Sequence, residues 1–170
     1  MARRTPPDRE FVRDLRHVLA TPKAWISAGE IAWVDAGGKP KGYKFRAALS
    51  VQGHTPGSLY VDGYYKPSSI EGVPDKLSLS LFYRDQRILG LDEDGPGRHR
   101  NSVGEGRPHF LKSIHHPHLH TISDDAIYGY AEPLEPAEFS EHWHSFLFLA
   151  GIQNGPNFSL PPGQRELPLR

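Results

Sequence analysis

The sequence predicts an α+β domain: a curved antiparallel β-sheet of five to seven strands in meander order, flanked by an N-terminal and a C-terminal helix. Three observations carry this. Apolar residues alternate with period two over residues 59–65 and 77–83. They recur at helical spacing near the two ends of the chain, at Phe11, Val12, Leu15, Val18 and Leu19 and again at Phe139, Trp143, Phe146, Leu147 and Ala150. The 17 Gly and 16 Pro fall mostly in short clusters between these runs, as turns between strands do. Strands joined by short turns pair antiparallel, and both helices are expected on one face of the sheet.

The first helix is expected over residues 8–20, started by Pro6-Pro7-Asp8 and stopped by Pro22. Residues 24–35 have strand character through Trp25, Ile26, Ile31, Trp33 and Val34, and Gly37-Gly38-Lys39-Pro40 forms a turn. Residues 43–51 alternate, and His54-Thr55-Pro56-Gly57 turns the chain again. In the 77–83 run, Leu77, Leu79, Leu81 and Tyr83 share one face, with Ser78, Ser80 and Phe82 opposite. A short strand at 87–91 closes at the acidic turn Asp92-Glu93-Asp94-Gly95. Residues 93–113 form a long, Gly-rich, basic loop, and loops of that length are functional or disordered. A strand is expected around 114–122 and the second helix over 136–151. The tail from Asn154 carries four Pro and reads as an extended or poorly ordered arm. This gives one domain over 1–153 and a tail over 154–170.

Composition narrows the function classes. A chain of 170 residues with 37% hydrophobic residues is one domain's worth. With no Cys there is no disulfide framework, no thiolate-bound zinc and no thiolate nucleophile. The longest apolar stretch near the end, residues 146–150, is far short of the roughly 20 residues a membrane span needs. The start has no apolar segment of the signal-peptide kind, so a cytoplasmic protein without a membrane partner is expected. The formal charge is zero, yet the halves differ: 13 Lys/Arg face 9 Asp/Glu in residues 1–85, and 7 face 11 in residues 86–170. Eight of the ten His also lie in the second half. A protein that coats nucleic acid through a fixed basic surface would be more basic than this.

The unusual segment is residues 109–120, where five of twelve residues are His. On a strand, His116, His118 and His120 would project to one side, with Pro117 weakening the start. Imidazoles so close can ligate one metal ion or serve as an acid–base pair. For the metal, His-x-His supplies two ligands, with His99, His109 or Asp92 as candidates to complete the set. For metal-independent phosphodiester chemistry, His118 and His120 form the acid–base pair, Arg98, Arg100, Arg107 or Lys112 neutralises phosphate, and Tyr83 or Tyr130 orients it. Residues 116–122 also resemble the signature of the histidine-triad nucleotide-binding family, although Pro117 and Thr121 stand where apolar residues belong. Elsewhere the aromatic and polar residues read as structural. Trp25, Trp33 and Trp143 belong to the core, His142 and His144 face water or the helix edge, and Lys39, Lys41, Lys44 and Arg46 form a solvated hairpin.

Taken in order, Leu91-Asp92, Gly95-Pro96, His99-Arg100-Asn101, Pro117-His118-Leu119-His120, Tyr130-Ala131-Glu132-Pro133-Leu134 and a closing helix resemble a small family of uncharacterised bacterial and phage proteins, a domain of unknown function. The likeness spans about residues 42–152. More weakly, the arrangement resembles some small toxins of toxin–antitoxin pairs. Ser102 departs from the expected Pro-Asp-Gly turn, and His109, His115 and His116 are additional. The resemblance implies a site of Asp92, His99, Asn101, His118 and His120, and a role in toxicity, defence or counter-defence. Three functions therefore stand open. The leading one is a cofactor-free, toxin-like ribonuclease or phosphodiesterase, with RNA or a nucleotide as partner and Arg98, Arg100 and Arg107 on phosphate. The others are a protein-binding module and a divalent-metal or histidine-triad-like site.

Overall fold

A computed structural model describes residues 6–27 and 29–164; the first five residues and the last six of the expected tail lie outside it. Helix α1 (Arg9–Ala20) starts where the Asp8 carboxylate accepts from the Glu10 amide at 2.9 Å. Strands β1 (Lys23–Trp25), β2 (Val34–Gly37), β3 (Gly42–Ser50), β4 (Leu59–Lys66), β5 (Lys76–Tyr83) and β6 (Gln86–Glu93) follow. Then come the small hairpin β7 (Arg98–Arg100) and β8 (Ser113–His115), strands β9 (His118–Thr121) and β10 (Tyr130–Pro133), helix α2 (Phe139–Leu149) and the two-residue β11 (Ile152–Gln153).

The fold class is α+β with an open, mostly antiparallel sheet, but the strand number exceeds the five to seven expected. The main sheet has nine strands, in the order β10-β9-β6-β5-β4-β3-β1-β11 with β2 also on β3, and β7–β8 form a separate pair. The additional strands are two to four residues long, too short for a period of two to register. The expected strand at 24–35 divides into β1 and β2. The one at 114–122 divides at Pro117, which has no N–H to offer a ladder. The basic loop is partly structured, since its Arg98–Arg100 segment is β7. Among the described residues one parallel pairing occurs, joining β1 to β11.

The two sheet faces have different fates. Leu59, Val61 and Tyr65 of β4, Leu77, Leu79 and Leu81 of β5, and Leu89 and Leu91 of β6 are buried in one apolar cluster with Val12 and Leu15 of α1 and Phe139, Trp143 and Phe146 of α2. Both helices thus cover one face, and each fully buried side chain of this size contributes about 1.5–3 kcal/mol. The tail from Asn154 is extended but packed: Trp143 Nε1 donates to Pro156 O at 2.8 Å, Trp33 Nε1 donates to Ser159 O at 2.7 Å, and Phe158 lies against the core. His142 is buried at 3% exposure rather than facing water; only its neighbour His144 is exposed. Among the described residues no helix is long and apolar enough to cross a membrane.

Candidate functional site

The opposite sheet face carries the polar side chains of the same strands. Register puts Ser78, Asp92 and His118 in one cross-strand row and Ser80, Gly90 and His120 in the next. His118 and His120, two residues apart on β9, therefore stand side by side on the face away from the helices, as the alternation requires. The β7–β8 hairpin supplies His99 from outside the sheet. Its ring lies 4.7 Å from His120 and 5.4 Å from His118, centroid to centroid.

A β-bulge completes the site. Between β5 and β6 the pairing shifts from Leu81↔Leu89 to Phe82↔Arg87, so one residue is extra on β6. In a regular strand Arg87 and Asp92, five residues apart, would face opposite ways. The extra residue turns Arg87 onto the face of Asp92. Its Nη2 donates to Asp92 Oδ1 at 2.7 Å and its Nη1 to Oδ2 at 3.0 Å. Gly90 makes room for this, because a Cβ there would lie 2.3 Å from the Arg87 guanidinium carbon. The Ser78 hydroxyl also donates to Asp92 Oδ1. Burial pushes the Asp92 carboxyl up, but hydrogen bonds from His120, Arg87 and Ser78 and the guanidinium charge override it and hold the group far below the carboxylate range. Asp92 is ionised.

His118 and His120 are neutral. Burial, reinforced by His120 and His116, pushes His118 down to about 3, and burial lowers His120 against the opposing pull of Asp92. Their Nε2 atoms are 3.0 Å apart, and Asp92 Oδ2 lies 3.2 Å from the Nε2 of His120 and 4.0 Å from that of His118. His99 Nε2 lies 2.8 Å from Gly129 O, which places its N–H there and leaves the Nδ1 lone pair available. One ligand atom from each of His99, His118 and His120 falls within 4.8 Å of the others. Two nitrogens on one zinc ion, each about 2.0–2.1 Å from it, are separated by roughly 3.0–3.4 Å. The Nε2 pair stands at that spacing.

Packing fixes the rings. His116 lies against His118 with centroids 4.2 Å apart, and its Nδ1 is 3.1 Å from Asp92 O. Tyr128, 47% exposed, stacks on His120 at 4.9 Å, and its hydroxyl is 3.2 Å from Arg87 Nη1. The Nδ1 atoms of His118 and His120 are buried with no hydrogen-bond partner.

Of the residues the sequence singled out, Asp92, His99, His118 and His120 come together. Asn101 stands behind them. Its amide exchanges hydrogen bonds with the Ala131 backbone at 2.7 and 2.8 Å and donates to His109 O, which ties β7 to β10. The three arginines do not join the rings. Arg107 donates to Glu132, Thr121 Oγ1 and Ile122 O and lies 4.0 Å over the Tyr130 ring. Arg98 and Arg100 flank His99 on β7, where alternation sends them to the other side, and both are exposed. His109 meets Asn101 through its backbone carbonyl, and Tyr130 is buried under Arg107. Sequence reading missed Arg87, Ser78 and Tyr128. Arg87 was hidden by the bulge, Ser78 was visible only as the polar side of β5, and Tyr128 carried no signal.

This arrangement holds neutral donors suited to a transition metal and an ionised carboxylate beside them. It resembles a histidine-triad set in composition, with the rings contributed by two separate elements. Comparison with protein-family models, with curated proteins and with solved structures finds no match to this chain.

Proposed function

We propose that His99, His118 and His120 bind a divalent transition-metal ion of the zinc class, and that the ion serves a hydrolytic site for phosphodiesters. The observation that carries this reading is the convergence of three imidazoles, two of them buried and neutral, with Nε2 atoms 3.0 Å apart. A neutral imidazole ligates without net loss of a proton; for His120 the proton that Nε2 shares with Asp92 has only to move to the unpartnered Nδ1. Three protein ligands leave a coordination position open, as catalytic rather than structural zinc sites do. When bound, the ion supplies a hydroxide nucleophile near neutral pH. The chain's own part is to orient. Gly129 O fixes the His99 tautomer, and His116 and Tyr128 hold the other two rings by packing. Asp92, kept ionised by Arg87 and Ser78, presents a carboxylate oxygen beside His120.

The test is elemental analysis of protein purified without nickel or a polyhistidine tag, followed by calorimetric titration with Zn²⁺. One equivalent per chain is expected. His118→Ala and His120→Ala are expected to weaken binding at least a hundredfold, with the circular dichroism spectrum retained. No binding at micromolar zinc overturns the proposal.

A second reading, the metal-free acid–base pair of a toxin-like ribonuclease, draws on the same 3.0 Å contact between His118 and His120. Burial opposes it, because neither ring gains a proton readily and the arginines expected on phosphate are engaged or turned away. Cleavage of RNA in EDTA by the wild-type chain, lost in His118→Ala, would favour this reading over the metal.

A further inference from the structure

Beside the histidines, the same polar face of the sheet is an open trough over β3, β4 and β5. Its floor is Ser78 and Ser80, small residues in the middle of the sheet, and its far bank is Lys44, Arg46 and Tyr64; the cavity is about 550 Å³. The trough borders the site, with the Arg87 guanidinium over Gly90 between Ser80 and His120. In register, Lys44, Tyr64, Ser78, Asp92 and His118 form a single row across five adjacent strands, and the Ser78 hydroxyl on the floor is the one bonded to Asp92. At about 4.8 Å per strand the row runs on the order of 19 Å from Lys44 to His118. Tyr64 leans away from the floor, over Gly42, where a Cβ would lie 2.7 Å from its hydroxyl.

Chemistry on this face is aromatic and cationic together. Tyr60 and Phe82 stack with centroids 5.2 Å apart, and the Arg46 guanidinium lies 4.1 Å over Tyr60. Most carboxylates here are matched, Asp62 by Arg46, Asp92 by Arg87 and Asp94 by Lys76, while Asp85 at the β5–β6 turn also acts on Arg46. Lys44 and Lys66, on the same face, have no ion-pair partner among the described residues. The face therefore carries a cationic surplus interleaved with half-buried rings, on a surface no helix covers. That is the chemistry of a stacking platform with phosphate contacts at its edge.

We infer that this trough binds single-stranded nucleic acid and leads it to the histidine site. Bases lie against Tyr64 and the Tyr60–Phe82 pair, and phosphates meet Lys44 and Lys66. The destination of the strand rests on the hydrolytic reading above; the binding itself does not. A duplex cannot splay its bases onto the floor, so single strands are preferred.

The experiment is fluorescence anisotropy with a labelled ten-nucleotide single-stranded RNA, on metal-free and zinc-loaded protein, with duplex RNA of equal length as competitor. Expected are binding in both metal states, a falling affinity as salt rises, and weak competition by duplex. Tyr64→Ala is expected to weaken binding roughly tenfold. Lys44→Glu, at an exposed position that cannot disturb the core, is expected to weaken it severalfold and to flatten the salt dependence. Zinc affinity should be unchanged in both variants. Absence of RNA binding, equal affinity for duplex, or wild-type affinity in both variants overturns the inference. If zinc fails to bind while RNA behaves as expected, the metal reading falls and this one stands.

Discussion

Each face of the sheet takes a cation out of contact with most of the water, and the two are handled differently. Lys23, 1% exposed, lies where the C-terminal ends of the two helices meet, and its ammonium donates to Leu19 O, Thr21 O and Ala150 O at 2.7–3.0 Å. No carboxylate faces it in those contacts, and burial lowers its pKa to about 8. Arg87 is also largely removed from water, and burial pulls its pKa down, but the Asp92 carboxylate more than offsets that and the net shift is upward. Carbonyl dipoles can seat a charge; a counter-ion stabilises it. The helix face uses its cation to close two helix ends. The other face uses its cation to keep an anion charged beside neutral imidazoles.

Removing one half of the ion pair gives the largest expected effect. Arg87→Met leaves Asp92 ionised and unmatched, and chemical denaturation should show a loss of about 3 kcal/mol. The double variant Arg87→Met/Asp92→Leu should recover most of that loss. Equal stability of the single and double variants would mean the pair is not coupled. For Lys23 the effect appears with pH. Between about pH 8 and 10.5 the unfolded chain still holds a proton that the folded chain has released, so stability rises with pH across that window; below it both states are protonated. Relative to Lys23→Met, the wild-type chain should gain about 2–3 kcal/mol over the window, and parallel pH profiles would refute the assignment. Smallest is Gly90→Ala. The new methyl group displaces the Arg87 guanidinium at a cost of about 1–3 kcal/mol. Zinc affinity should fall with it, because Asp92 loses its anchor, and a variant equal to wild type on both measures would sink that account.

The elements that carry strong periods were legible in the sequence. Both helices lie within a few residues of expectation, and Leu77, Leu79 and Leu81 share the core face as their alternation required. The His118–His120 pair was legible for the same reason, since parity on a strand is fixed. His99 was picked by its motif, but that β7 folds back over the sheet to bring it there is a long-range contact with no local signal. The arginines show the converse. Arg98, Arg100 and Arg107 stand near the histidines in sequence and away from them in space, while Arg87, unremarked beforehand, reaches Asp92. Charge near a motif carries no direction; only register does. The strand number was underestimated because pairing by segments of two to four residues depends on neighbours, not on pattern.

The extra residue at the start of β6 makes pairing register, alongside side-chain identity, a determinant of this centre. Deleting Ile88 would set Arg87 and Asp92 four residues apart on an even ladder, where both still face the polar side, so the ion pair should survive while the core loses a fully buried side chain. A shift of pairing that ironed out the bulge with the sequence unchanged would carry Arg87 to the helix side and leave Asp92 unmatched.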